Sequence, residues 1–264
     1  MSTRPSQPAM SQRNLTTNAI VDIRLINLDR STDRLATFQI ANKHVMPYVT
    51  RFPAIDGKDV DRAKLVQRGI VAPDLKYKTG ALGNALSHIA LWDLAIREDR
   101  SLTICEDDAV FNRSFCAASE SIIQELPSDW HVVRWGWNFD TILWFDMIPG
   151  VSGCIGWFEQ DSLRKAIDAF QSANLSPRSY RFYQGFGTVC YSISAAGGRS
   201  LRQHCLPLRN TNVYIPGLKM NMANFGLDVA LNGLYSQVKS FVSFPPLVVT
   251  ANDHSTSMVQ GQPE

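Results

Sequence analysis

The sequence predicts an α/β fold with a largely parallel central sheet flanked by helices. Three observations carry that prediction. Short apolar runs rich in Ile, Leu and Val alternate with helical patterns through the first half of the chain. Turn residues separate the two kinds of segment. The 264 residues, 45% hydrophobic and 19% charged, are enough to bury a substantial core.

The elements follow in order. Val21 to Leu28 alternates weakly and ends in a polar turn, a strand pattern. Ser31 or Thr32 is placed to cap a helix running to about Lys43. Arg51 to Gly57 reads as a short strand closing in an Asp-Gly turn. Gly83 to Glu98, GNALSHIALWDLAIRE, has the clearest helical spacing, with Leu86, Ile89, Ala90 and Leu94 on its packing side. Ser101 to Cys105 is a short buried strand, Ser114 to Leu126 a helix stopped by Pro127, and Trp130 to Trp135 another strand. Residues 136–186 show no clear period but many aromatics, which suit core and loop anchoring or a substrate-facing wall. Order returns with a strand from Gly187 to Ser194, helices over Ala195–His204 and Gly226–Tyr235, and a last strand near Ser240–Phe244.

Composition excludes several classes. The formal charge of +2, with no Lys/Arg block, argues against a nucleic-acid partner. No apolar run approaches the roughly 20 residues of a membrane span, and the polar first residues lack the apolar centre of a signal peptide. The five cysteines form no CxxC pair and suit reduced thiols. These features predict a cytoplasmic protein with a flexible lead-in over 1–20, one domain over 21–254 and a flexible tail over 255–264.

The chemistry concentrates in Leu102–Phe111, LTICEDDAVF, where Glu106, Asp107 and Asp108 crowd together. Each charge raises the cost of ionising its neighbours. The triplet is therefore either a solvated turn or a group with a cation beside it. Ligands of open α/β sheets bind beyond the carboxyl ends of strands, and carboxylates there suit a hard ion such as Mn²⁺ or Mg²⁺. His88, on the strong helix, reads by itself as a hydrogen-bonded core histidine. There is no GxGxxG, no phosphate loop ending in Gly-Lys-Ser/Thr, no GxSxG elbow and no HExxH.

Five segments, in this order, resemble glycosyltransferase family 25: Ile26–Leu35, Phe52–Gly57, Gly80–His88, the LTICEDDAVF strand and acids, and Gly187–Gly197. The resemblance implies a GT-A-like nucleotide-sugar-binding domain, a divalent metal and an inverting transfer of a hexose, most often galactose, from a UDP-sugar donor to a glycan or lipid-linked saccharide acceptor. It implies Asp108 as the first metal ligand, Glu106 or Asp107 as a second ligand or a partner of a ribose hydroxyl, the two being exchangeable, and His254 completing the shell. It further implies Asn27, Asp29, Arg30, Arg34, Asp56, Ser87, His88 and Asp107 around the donor, and Asp228 as the base that takes the acceptor proton. A lipid-linked acceptor would bring the protein to the cytoplasmic membrane face. Asn84, where many members carry Cys, and Val229, where an aromatic often follows the late Asp, depart from the pattern and bear on the acceptor. Two other readings stand beside this one: a glycosyltransferase-like module that binds sugar or nucleotide without turnover, and a metal-dependent nucleotidyl or phosphoryl transferase.

Overall fold

The structure is a computed structural model that describes residues 21–251. The predicted lead-in over 1–20, the tail over 255–264 and His254 lie outside the described residues.

The first half builds the alternating pattern. Strand β1 (Ile23–Asn27) leads to α1 (Thr32–Ala41), then β2 (Val49–Pro53) and the short α2 (Arg62–Gln67). Asp61 caps α2 by accepting the Lys64 amide at 3.1 Å. The long α3 (Thr79–Arg97) precedes β3 (Leu102–Glu106), a short β4 (Ala109–Phe111), α4 (Phe115–Glu125) and β5 (Val132–Gly136). Helix α3 begins four residues before the predicted Gly83, because its first turn carries Gly80, a poor helix signal. Gly83 is there for packing. A Cβ on it would meet the Ile55 carbonyl oxygen at 2.4 Å, so the first turns of α3 lie directly on the 55–57 loop.

The aromatic stretch from 136 to 186 is ordered structure that its sequence does not announce. It forms β6 (Leu143–Ile148), β7 (Ser152–Gly156), the short helices α5 (Gln160–Lys165) and α6 (Ile167–Ser172), and β8 (Arg178–Gly185). Ring contacts such as Phe145 against Tyr180 (5.2 Å between centroids) and Phe182 against Tyr235 (4.7 Å) tie these strands into the core. The chain continues through β9 (Cys190–Ile193), α7 (Ala195–Cys205), the β10–β11 hairpin (Asn212–Ile215, Met220–Ala223), α8 (Leu227–Asn232), β12 (Ser240–Phe244) and β13 (Val248–Thr250). Ser194 caps α7, accepting the Gly197 amide at 2.9 Å.

Nine strands make one sheet in the order β2-β1-β3-β9-β5-β12-β8-β6-β7. Following the pairings, β2, β1, β3, β5, β12 and β6 run one way, and β9, β8 and β7 run against them. The fold is thus mixed α/β with a large sheet flanked by helices, compatible with a single GT-A-like domain. Period-two alternation sorts the core onto two faces. Leu102, Ile104, Val132 and Tyr191 pack with α3, α7 and α8, while Cys105, Val133, Trp135 and Cys190 pack with α1, α4 and β4. Among the described residues no helix is long and apolar enough to cross a membrane.

Candidate active site

Strand register assembles the site. β1 and β3 are parallel, with Ile26 opposite Glu106, so Asn27 and Asp107 leave the sheet side by side at their carboxyl ends. β9 runs antiparallel to β3 and starts opposite Cys105, which brings Thr188 and Val189 to the same edge; the Glu106 amide donates to the Val189 carbonyl at 3.0 Å. Asp107 and Asp108 then form the turn into β4.

Glu106 is saturated on one oxygen. Its Oε1 accepts Asn84 Nδ2 at 3.1 Å, His88 Nε2 at 3.2 Å and the Thr188 hydroxyl. Burial would raise this carboxyl, but the donors, His88 foremost, outweigh burial and hold it at about 2. Behind it, His88 Nδ1 lies 2.8 Å from the Tyr191 hydroxyl, which also accepts Trp92 Nε1 at 2.8 Å. Since an ionised carboxylate only accepts, Nε2 carries the proton, and in the neutral ring Nδ1 takes the Tyr191 O–H. His88 is 0% exposed. It is the core histidine its sequence suggested, held between Tyr191 and Glu106.

Asp107 faces the first strand. Its Oδ2 accepts Asn27 Nδ2 at 2.7 Å, and its Oδ1 accepts Arg34 Nε at 2.8 Å with a second bond from the same guanidinium. Arg34 is correspondingly raised, its own burial being offset by the Asp107 contact. Arg51 Nε donates to Asn27 Oδ1 at 2.9 Å, which fixes the amide so that its Nδ2 points at Asp107. Arg30 pairs with Asp56, whose other oxygen caps the Lys58 amide at 3.0 Å. Ser87 Oγ bridges the Ile55 amide and the Gly83 carbonyl, both at 2.8 Å. Asn27, Arg30, Arg34, Asp56, Ser87 and Asp107 line one pocket together with Asn84, Glu106 and Asp108. Asp29 does not line it; its side chain is 79% exposed and pairs with Arg51.

Asp108 differs from both neighbours. Its Oδ2 accepts the Thr250 hydroxyl at 3.1 Å, while Oδ1 is buried with no hydrogen-bond partner. Burial first, then the Glu106 charge, pushes this carboxyl up to about 6 against the pull of Arg34. A buried, unsatisfied carboxylate oxygen beside a pocket is the donor a hard divalent cation takes, so Asp108 fits the implied metal. Among the described residues no group of three His, Cys, Asp or Glu side chains is arranged to hold an ion.

Asp228 opens α8 at the far end of a short strap. Gly187 N–H donates to its Oδ2 at 3.0 Å and Val229 N–H to its Oδ1 at 2.9 Å. Burial raises it, opposed by those two amides and the Arg134 charge. The strap is specific: the Gly187 amide serves Asp228, and the next residue, Thr188, serves Glu106. Gly187 has φ +78°, and a Cβ there would meet Asn138 Oδ1 at 2.1 Å.

Reading the sequence alone missed Thr188, Asn84, Arg51, Tyr191 and Thr250 as parts of the site. Thr188, Tyr191 and Asn84 lie inside the segments that resemble the family and carried that much signal. Thr250 meets Asp108 across 142 residues of chain, which no local pattern encodes.

The family model described as glycosyltransferase family 25 (LPS biosynthesis protein) matches residues 21–213. A Drosophila pseudoobscura pseudoobscura protein described as a glycosyltransferase 25 family member is 26% identical over 131 residues, which cover 46% of this chain. The chain spans only 21% of that relative's length. Among solved structures, the crystal structure of A197 from STIV aligns over 83% of this chain and 79% of its own, at 9% identity and a TM-score of 0.35.

Proposed function

The chain belongs to glycosyltransferase family 25, and from that premise we propose that it catalyses an inverting transfer of a hexose, galactose first, from a UDP-sugar to a glycan or lipooligosaccharide-type hydroxyl. The observation that carries the reading is the Asp108 Oδ1 atom, buried and unpartnered at a strand end beside a pocket lined with polar side chains.

Each group has a task in this reading. Asn27, Arg34 and Asp56 contact the nucleotide, with Arg34 placed to meet anionic oxygen as well as Asp107. Asp108, with Glu106 and His254 as the further ligands the sequence puts forward, would hold Mn²⁺ or Mg²⁺, which supplies Lewis-acid stabilisation of the departing diphosphate. Asp228 accepts the proton of the attacking acceptor hydroxyl. Its burial moves it up from the ordinary carboxylate range, toward the pH at which a base both stays ionised and takes a proton effectively. His88 and Thr188 hold Glu106 in place. A lipid-linked acceptor would bring the protein to the cytoplasmic membrane face.

The test is UDP release from a panel of UDP-sugars, with and without Mn²⁺ and with saccharide acceptors. UDP-galactose is expected to give the fastest metal-dependent release. Asp228→Asn is expected to lower turnover by about 10²–10⁴-fold while leaving UDP affinity intact. Tight UDP binding with no turnover on any donor would favour the binding-module reading instead.

A further inference from the structure

A buried cation without a carboxylate of its own stands behind the strap. Arg134, on β5 and on the face covered by α8, is 1% exposed. Among the described residues no acidic side chain reaches ion-pair distance of it. Instead Nη1 donates to the Tyr235 hydroxyl at 2.9 Å, and Nη2 donates to the Gly136 and Phe186 carbonyls at 3.3 Å each and to the Gly187 carbonyl. The guanidinium lies 5.6 Å from the Phe182 ring centroid and 5.7 Å from that of Tyr235. Nε has no partner. Burying a charge is costly unless it is paired, and π faces and carbonyls offset only part of that cost. An apolar side chain of similar volume would fill the same space without it, which points to a use for the charge.

The use is visible in what Arg134 grips. Its bonds hold the Phe186–Gly187 backbone, and from that backbone the Gly187 amide reaches Asp228 while the Thr188 hydroxyl reaches Glu106. We infer that Arg134 is a positioning residue: it fixes the strap that aims donors at Asp228 and Glu106. The inference rests on Asp228 being the base.

Around Asp228 the charged and titratable groups are Arg134 on β5, Glu106 on β3, Tyr77 ahead of α3 and Tyr235 after α8. From α7, Cys205 is buried near Tyr77 and Tyr235, and His204 bonds the Ala230 carbonyl on α8. Among the described residues, Arg134 is the cation that bears on Asp228, and it opposes the burial that raises the carboxyl. Removing it raises Asp228 further.

The experiment compares Arg134→Met, Arg134→Lys and Asp228→Asn by pH profile of kcat/KM and by UDP affinity. Arg134→Met is expected to move the acidic limb to higher pH and lower kcat, with UDP affinity unchanged; an unmoved limb overturns the inference. Arg134→Lys keeps the charge but cannot span the strap and Tyr235. Its limb is expected at the wild-type position, with kcat down about 10–100-fold; wild-type kcat overturns the inference even where Arg134→Met does not fold. Wild-type turnover in Asp228→Asn overturns the base assignment itself. A loss there together with an unmoved Arg134→Met limb overturns the role of Arg134 alone.

Discussion

Glu106 and Asp108 stand two residues apart in one acidic turn, yet their surroundings are opposite. Around Glu106, Asn84, His88 and Thr188 all donate to one oxygen, and Tyr191 and Trp92 complete the network behind. Around Asp108 there is one hydroxyl and an oxygen with nothing to accept. The first carboxyl is held at about 2 and the second pushed up to about 6. Like charge in a sequence therefore says little about role. Glu106 is a charge that three donors hold through one oxygen, and Asp108 is one whose Oδ1 the fold leaves without a hydrogen-bond partner.

The largest expected effect breaks the saturated side. Glu106→Ala strands His88 Nε2, Asn84 Nδ2 and the Thr188 hydroxyl together. It should cost about 3–5 kcal/mol of stability in urea unfolding, the usual result of deleting one member of a buried charged network. A loss below about 1 kcal/mol would mean that the network is solvated.

The open side should respond with the opposite sign. Asp108 has a folded value of about 6 against an ordinary 3.8. Between those values the native state binds more protons than the unfolded chain, so stability falls as pH rises through the window. Above it the penalty is fully present, on the order of 3 kcal/mol. Asp108→Asn should therefore raise the metal-free protein's stability by about that amount at pH 7 and add almost nothing below pH 4. Thermal unfolding at the two pH values reads this directly, and an equal change at both would remove the comparison's electrostatic basis.

The smallest effect sharpens the boundary between the sides. Ser87→Ala removes the acceptor of the Ile55 amide that ties the pocket loop to α3. About 1–2 kcal/mol of stability should go, with UDP affinity following only as far as the loop loosens. Unchanged stability would show that the Gly57 and Gly83 contacts hold the loop without Ser87.

How much of this was legible depended on whether the information was local. The strands ending at Asn27 and Glu106 showed as apolar runs, and α3 showed through its helical spacing. The acidic turn announced itself by composition, and the ordered resemblance segments pointed to its chemistry. What was hidden was pairing. β9 enters antiparallel between β3 and β5, and that places Thr188 on Glu106. Arg51 reads as a surface charge until β2 sets it beside Asn27. The strands within 136–186 were unreadable for two reasons: β6 and β8 carry aromatics at successive positions, which erases the alternation that marks a half-buried strand, and β7 is a mostly exposed SGCIG with little apolar signal. Arg134 carries no local signal in the middle of a buried strand, and only the tertiary structure shows that no acidic side chain among the described residues reaches ion-pair distance of it.

The central claim, that the Asp108 side of the turn is left open for a donor-linked cation, is tested most directly by calorimetric titration of UDP into wild type and Asp108→Asn, each with and without Mn²⁺. Mn²⁺ is expected to tighten UDP binding to wild type and to leave binding to Asp108→Asn unchanged, in a protein that is folded and at pH 7 more stable than wild type. Equal Mn²⁺-dependent tightening in both proteins would contradict it.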